Sequence, residues 1–360
     1  MDEVAKTRFK VLVGLAAVVA AVHVVLIIIF VSNGHKSAPE KETKEPQAAQ
    51  KDQKNTAKKA PAVPAKRYFV PSKNPRFGQR FDFSAAFRGN LPEQVVPGSK
   101  LARSGIIVDM DTRKVLWEKN SASPVPIASM AKMMTMLLVM EEMEKRPNIG
   151  INTLVPVTTT ARNVPRTGVL YLAPGESFTI QELMIATAVK SANDAATLLA
   201  EYMGGTVPAF VAQMNKKAAR LNLKSLSFIN PCGLPEGNRN SLGSAADMVL
   251  LGEQLLQYPL AMQWCNIKSS SIRDGKTVFV NTNKLVNPRY PGVDGLKTGY
   301  IRAAGSCLTF SALRDGRRIM GCVTGFKTSR DRDRFCRRLI DWAYKRPAKV
   351  PVKKAATAKR

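Results

Sequence analysis

Histidine is almost missing from this chain of 360 residues. There are two, His23 and His35, and none lies beyond position 35. A zinc hydrolase held by imidazoles, a Ser-His-Asp triad and a Cys-His dyad each need a histidine among the folded residues, so none can be built in the body of the protein. A hydrolase made from this chain must take its base from lysine or a carboxylate. Cysteine is sparse too. The five thiols, at 232, 265, 307, 322 and 336, form no C-x-x-C pair, and an odd count argues against a full set of disulfides. Buried thiols are expected, with Cys307 and Cys322, on neighbouring strands, able to form one bridge. Neither a cofactor nor a metal is expected.

Acidic residues are the third shortage, 27 against 55 Lys and Arg, for a formal net charge of +28. The excess is concentrated in flanks. Residues 33–80 carry 12 basic and 4 acidic side chains, and residues 345–360 carry 7 basic and none acidic. Such charge predicts attraction to anionic surfaces, among them lipid head groups, wall polymers and nucleic acid. Nucleic acid is disfavoured, because the flanks lack aromatic interleaving and any recognisable binding motif.

What the chain does have begins at residue 11. Residues 11–31 hold no Asp, Glu, Lys or Arg, and about 20 such residues span a bilayer as a helix. The run is longer than a cleavable signal's apolar core of roughly 7–15 residues. Lys6, Arg8 and Lys10 precede it, while lysines and glutamates mix behind it. The positive-inside rule predicts a retained signal anchor over residues 1–32, with the N-terminus in the cytoplasm and the rest outside the cell membrane or in a periplasm. Residues 33–81, rich in Lys, Pro, Ala and Gln, predict a solvated tether, and residues 345–360 a similar tail. Either flank could hold anionic lipid or wall polymer.

Residues 82–344 are expected to form one folded domain. Ser104–Met110 and Lys114–Lys119 read as a hairpin, as do Gly305–Leu313 and Arg317–Gly325 around Asp315-Gly316. Between them the apolar period becomes helical, from Ser129 onward and again after the capping box Thr179-x-x-Glu182. A last helix over 330–344 offers Phe335, Leu339, Ile340 and Trp342 to the core. The class predicted is α+β: an antiparallel sheet built from both ends of the domain, covered by helices, with a helical lobe near 129–260 beside it.

Three short motifs carry chemistry. Ser129-Met130-Ala131-Lys132 opens the Met-rich helix, where positions i and i+3 are neighbours and free backbone N–H groups favour developing negative charge. Ser191-Ala192-Asn193 puts a hydroxyl and an amide in a break between apolar helices. Lys297-Thr298-Gly299 enters the final strands, joining a cation, a hydroxyl and a glycine that admits close approach. S-x-x-K and S-x-N each turn up about once by chance in a chain this long, so the information lies in the ordered set.

That set matches the S-x-x-K, S-D-N and K-T-G signature of penicillin-binding proteins and class A β-lactamases, with SAN in the middle place. The stretches PIASMAKMMT, PGESFTIQEL, SANDAA, NTNKL and DGLKTGY followed by AGSCL resemble the serine D-alanyl-D-alanine carboxypeptidases, low-molecular-mass penicillin-binding proteins, over residues 100–326. The resemblance implies the penicillin-binding-protein fold and a peptidase that trims peptidoglycan stem peptides through an acyl-serine and is trapped by β-lactams. Ser129 would attack, Lys132 would be the base with a lowered pKa, and Ser191 would relay a proton. Asn193 would bind the substrate peptide, and Lys297 and Thr298 its terminal carboxylate, with Gly299 completing the motif. The backbone N–H groups of Ser129 and Tyr300 would form the oxyanion hole.

Two departures from the resemblance stand out. Many members carry a second β-rich domain and a membrane-docking C-terminal helix, whereas here the anchor is N-terminal. The E-x-x-L-N loop with which class A β-lactamases hydrolyse the acyl-enzyme is absent, which disfavours fast penicillin hydrolysis. A DD-endopeptidase using the same residues, and a non-catalytic envelope-binding protein, are the remaining alternatives.

Overall fold

The computed structural model describes residues 68–286 and 290–346. The expected membrane segment at 11–31, most of the tether and nearly all of the tail lie outside the described residues. Among the described residues no helix is long and apolar enough to cross a membrane.

Strands form where apolar and β-branched residues run together near both ends of the domain. They are Phe87–Arg88 (β1), Ser104–Asp109 (β2), Val115–Lys119 (β3), Val293–Ile301 (β4), Gly305–Arg314 (β5) and Arg317–Phe326 (β6). The sheet order is β1-β3-β2-β6-β5-β4, antiparallel except for the two-residue parallel pairing of β1 with β3. The two predicted hairpins are therefore stitched through β2 and β6, whose register pairs Cys322 with Ile106. Asp315 and Gly316 turn the β5–β6 hairpin with φ of +48° and +75°. Both central residues being left-handed is what a tight turn matched to strand twist requires. The β2–β3 turn is wider than two residues, with Asp109 Oδ1 accepting from the Asp111 and Thr112 N–H groups.

Helices cover both faces of the sheet. Lys132–Lys145 (α1) is buried on almost every side and lies at the centre of the helical lobe. Asn193–Gly204 (α2), Val207–Arg220 (α3) and Ala245–Leu255 (α4) complete the part of the lobe that matters here. On the opposite face Ser329–Tyr344 (α5) buries Phe335, Leu339 and Ile340 against Ile107, Trp117 and Phe310. Near-total burial of one such side chain contributes about 1.5–3 kcal/mol, so this stripe holds the helix in place.

Residues 68–81, read from the sequence as the end of the tether, are instead held along the body. The Val70 N–H donates to Gln257 O at 2.7 Å, and Asn74 Nδ2 to Met110 O at 2.7 Å. Phe81 is buried with the Arg113 guanidinium 4.6 Å from its ring centroid. The folded part thus starts ahead of residue 82. Backbone hydrogen bonds, which nearly any sequence can make, hold much of this stretch, so composition gave no sign of it. All five cysteines are buried free thiols.

Candidate active site

The S-x-x-K segment does not begin as a regular α-helix. Ala128–Ala131 form a tight 3-10 turn, and α1 starts at Lys132. Ser129 therefore sits one turn ahead of the helix, but i and i+3 eclipse in a 3-10 turn, so Lys132 still reaches it. Ala128 holds φ at +49°, which costs an alanine about 1–2 kcal/mol. Two glycines make room for this strained turn. A Cβ on Gly233 would lie 1.9 Å from Ala128 O, and one on Gly299 would lie 2.8 Å from Ile127 O. The third motif is thus pressed against the first, and its glycine is a packing requirement of the turn that carries Ser129.

Lys132 is fully buried, and its Nζ meets three acceptors: Ser129 Oγ at 3.1 Å, Asn193 Oδ1 at 2.6 Å and Cys232 O at 2.8 Å. Three acceptors saturate an ammonium. Burial pushes its pKa down to about 8, against the opposing pull of Cys232 and Asp194. When the amine is neutral it offers one lone pair and two N–H groups. Of its three partners only the Ser129 hydroxyl can also donate, since an amide oxygen and a carbonyl only accept. Losing the proton therefore turns one contact around, and Ser129 O–H points at the lysine nitrogen.

The helix before the second motif widens into a π-helical turn, Ala186–Lys190, and closes on Ser191 with φ +64°. Such turns are common at functional sites, and this one presents Ser191 to a cleft. Asn193 begins α2, nearly buried, with Oδ1 on Lys132 and Nδ2 donating to Thr167 O at 2.5 Å. Its side chain is thus largely engaged within the protein. Asp194 Oδ2 accepts from the Leu170 and Leu172 N–H groups at 2.8 and 3.2 Å, pinning the loop whose Thr167 meets Asn193.

Lys297 lies on β4, fully buried, with Nζ donating to Thr298 O at 3.3 Å. Burial lowers its pKa well below the ordinary value, and the nearby Lys132 adds to the fall. Thr298 Oγ1 bonds Thr282 Oγ1 at 2.8 Å. Tyr300 is two-thirds exposed.

A cavity of about 350 Å³ joins these pieces. Ser129, Ser191, Asn193, Thr298, Gly299 and Tyr300 line it, while Lys132 and Lys297 lie buried behind its wall. Lys297 is therefore not among the side chains that line the cavity. A larger cavity of about 560 Å³, lined by Met110, Asp294 and Arg318 among others, contains none of the motif residues. Among the described residues no cluster of three or more His, Cys, Asp or Glu could hold a metal.

Sequence reading missed several members of the site. Cys232 contributes a backbone carbonyl, which has no sequence signature. Thr167, Thr282 and Ser329 lie far from the motifs and look like ordinary surface hydroxyls. Arg332 lines the cavity from α5, buried, with its guanidinium on Asp333 Oδ1 at 2.7 and 2.9 Å and on Cys307 O at 3.1 Å. A buried Arg beside an Asp is a readable oddity, but in a helix with four other arginines it did not stand out.

The D-alanyl-D-alanine carboxypeptidase family matches residues 93–328. D-alanyl-D-alanine carboxypeptidase DacF of Bacillus subtilis is 38% identical over 256 residues, 70% of this chain and 64% of its own length. A D-alanyl-D-alanine endopeptidase of Pseudomonas aeruginosa is 29% identical over 209 residues, 57% of this chain and 65% of its own. The chain thus spans a little under two thirds of each. Among solved structures, penicillin-binding protein D2 of Listeria monocytogenes in its cefotaxime-bound form is similar with a TM-score of 0.62 at 25% identity, covering 68% of this chain and 97% of that one. The similarity carries the α+β architecture expected from the motifs, a mostly antiparallel sheet with helices on it.

Proposed function

The chain belongs to the D-alanyl-D-alanine carboxypeptidase family, and on that premise we propose that it is a serine DD-carboxypeptidase acting on peptidoglycan stem peptides through an acyl-enzyme on Ser129. One observation carries the reading. A buried lysine with its pKa lowered to about 8 touches the Ser129 hydroxyl at 3.1 Å, and its other two partners can only accept. This is a base with one available proton donor, and that donor is the nucleophile.

In the reaction, neutral Lys132 takes the Ser129 proton as Oγ bonds to the carbonyl carbon of the penultimate D-alanine. Backbone N–H groups of Ser129 and Tyr300 stabilise the oxyanion, a contribution of about 2.7–4 kcal/mol per donor in enzymes of this kind. The C–N bond breaks, and the leaving nitrogen takes the proton back from Lys132, directly or through Ser191. Water then splits the ester. Thr298 and Arg332 face the cavity where the substrate's carboxylate would sit, with Lys297 buried behind them. Asn193 has one N–H left for the substrate peptide once Thr167 O has taken the other. A β-lactam would enter as a stand-in for the peptide and leave a slow ester on Ser129. The cefotaxime-bound relative supports that part of the reading.

The same proposal places the catalytic domain outside the cell membrane, held by the 11–31 segment as a bilayer anchor, with basic flanks free to meet anionic lipid or wall polymer. The test is intact mass spectrometry of the full chain with a penicillin, alongside D-alanine release from a pentapeptide. A lasting gain of one drug mass on the Ser129 peptide, and loss of both signals in Ser129→Ala, are expected. D-alanine release that persists in Ser129→Ala would end the proposal.

A further inference from the structure

Beside the catalytic cavity lies a second one that the reaction above leaves unused. It measures about 550 Å³ and is lined by Lys284, Arg330, Arg334, Arg337 and Arg338, with Ser329 and Asp333. The four arginines recur at three- and four-residue spacing along α5, which sets them on one helix face. Lys284 belongs to the segment before β4, and the Arg337 guanidinium donates to its carbonyl at 3.2 Å. Among the described residues none of these five cations is paired with a carboxylate. The groove's one carboxylate, Asp333, is taken by Arg332. Lys284, Arg330, Arg334 and Arg338 are exposed. Five like charges walling a concave surface raise the local concentration of anions there.

The position of the groove limits what the anion is. Ser329 lines both cavities, and Arg332, on the same turn of α5, lines the catalytic one. A released D-alanine whose carboxylate meets Thr298 and Arg332 ends at that point. A leaving strand that continues past its carboxylate runs by Ser329 into the arginines. Arginine's planar fork pairs carboxylates two bonds at a time, so an acidic peptide suits this wall.

The geometry points to a leaving-side subsite for an acidic strand, one that makes the site favour a cross-linked stem with free carboxylates over the same stem amidated, whichever share of the work is endopeptidase. This rests on the acyl-serine reading above. Ser129 Oγ bonds the D-alanyl carbon, the C–N bond to the leaving strand breaks, and that strand's nitrogen takes the proton held by Lys132. One water then restores Ser129.

The experiment measures kcat/KM of the full chain on three substrates. These are an uncross-linked pentapeptide, a cross-linked fragment with free carboxylates on its leaving strand, and the same fragment with those carboxylates amidated. At low salt the acidic cross-link should exceed the amidated one by on the order of tenfold, with the advantage shrinking as salt rises. Arg334→Glu/Arg338→Glu should erase that advantage while D-alanine release stays within about twofold. Lys216→Glu/Arg220→Glu, an equal charge change on α3, should alter neither. Equal rates on the two cross-links, or an advantage that survives Arg334→Glu/Arg338→Glu, would overturn the subsite. Should the charge reversal impair folding, Arg334→Gln/Arg338→Gln makes the same comparison. Failure of the unaltered chain on all three substrates would sink the acyl-serine reading itself, a separate result.

Discussion

Two of the cations buried among the described residues, Arg113 and Lys132, are treated in opposite ways. Arg113 is met by the Glu253 carboxylate at 2.5 Å, both side chains almost wholly out of water, with Gln79 O and the Phe81 ring completing its surroundings. Lys132 is met by a hydroxyl, an amide oxygen and a backbone carbonyl, none of them charged. A counter-ion keeps a buried cation charged, whereas neutral acceptors let burial push the proton off. The first arrangement clamps the 79–81 segment to α4. The second is the surrounding that the base of the proposed reaction needs. Burial is nearly the same for both, so the difference lies in the side chain and its partners: a guanidinium keeps its proton in any surroundings, while an amine among neutral acceptors can give one up.

The comparison can be broken most sharply at Lys132. Lys132→Arg keeps a cation and its hydrogen bonds but cannot lose a proton near neutrality. It should cost on the order of 10⁴-fold or more in penicillin acylation rate, as Ser129→Ala should, while the thermal transition moves little. Acylation by Lys132→Arg at even a tenth of the parent rate would show that the neutral amine is not the base.

The converse test is Glu253→Gln, which leaves Arg113 buried without its counter-ion. Removing one partner of such a pair costs about 3–5 kcal/mol, or a fall of roughly 10 °C in Tm for a domain of this size. The acylation rate of the folded enzyme should be unchanged, because Glu253 lies away from the catalytic cavity. A drop in rate with no drop in Tm would reverse the two roles assigned here.

A smaller effect comes from pH. The active form is the deprotonated amine, so the rate must climb as protons leave. With Lys132 pushed down to about 8, the acylation rate should rise about tenfold per pH unit from 6 to 7 and level off above about 8. Stopped mixing with a chromogenic cephalosporin reads this directly. A rate that stays level from pH 6 to 9 would mean that the lysine is already neutral or is not used.

The smallest effect is expected at Cys232. It is the carbonyl that meets Lys132, while the thiol meets Thr197 Oγ1 and Asn193 O, each at 3.2 Å. Cys232→Ser keeps the carbonyl and should hold activity within about threefold. A large loss would show that the sulfur itself tunes the amine.

Much of this was legible beforehand, and the reason is local in each case. Asp315-Gly316 specified its hairpin because two adjacent left-handed residues tolerate few other side chains. Thr179 and Glu182 form the expected capping box, since a helix start satisfies its own N–H groups within four residues. The apolar period of 330–344 marked the helix over the sheet. The S-x-x-K spacing put Ser129 beside Lys132 because i and i+3 are neighbours in any tight helical turn. The parallel pairing of β1, the packing of residues 68–81 along the body and the presence of Arg332 and Ser329 at the cavity were not legible. Each rests on a contact between segments far apart in the chain, or on a backbone group that every residue has.

What the sequence by itself determined is the chemistry available: a body without histidine, an S-x-x-K turn, a hydroxyl and amide in a helix break, and a K-T-G strand. Periodicity added the elements on which these sit. Only the tertiary structure decided that Lys132 is sealed from water among neutral acceptors while Arg113 is given a carboxylate. It alone set the arginine face of α5 beside the catalytic cavity. A pKa and a subsite depend on distance and dielectric, and those belong to packing between remote segments rather than to the order of residues along the chain.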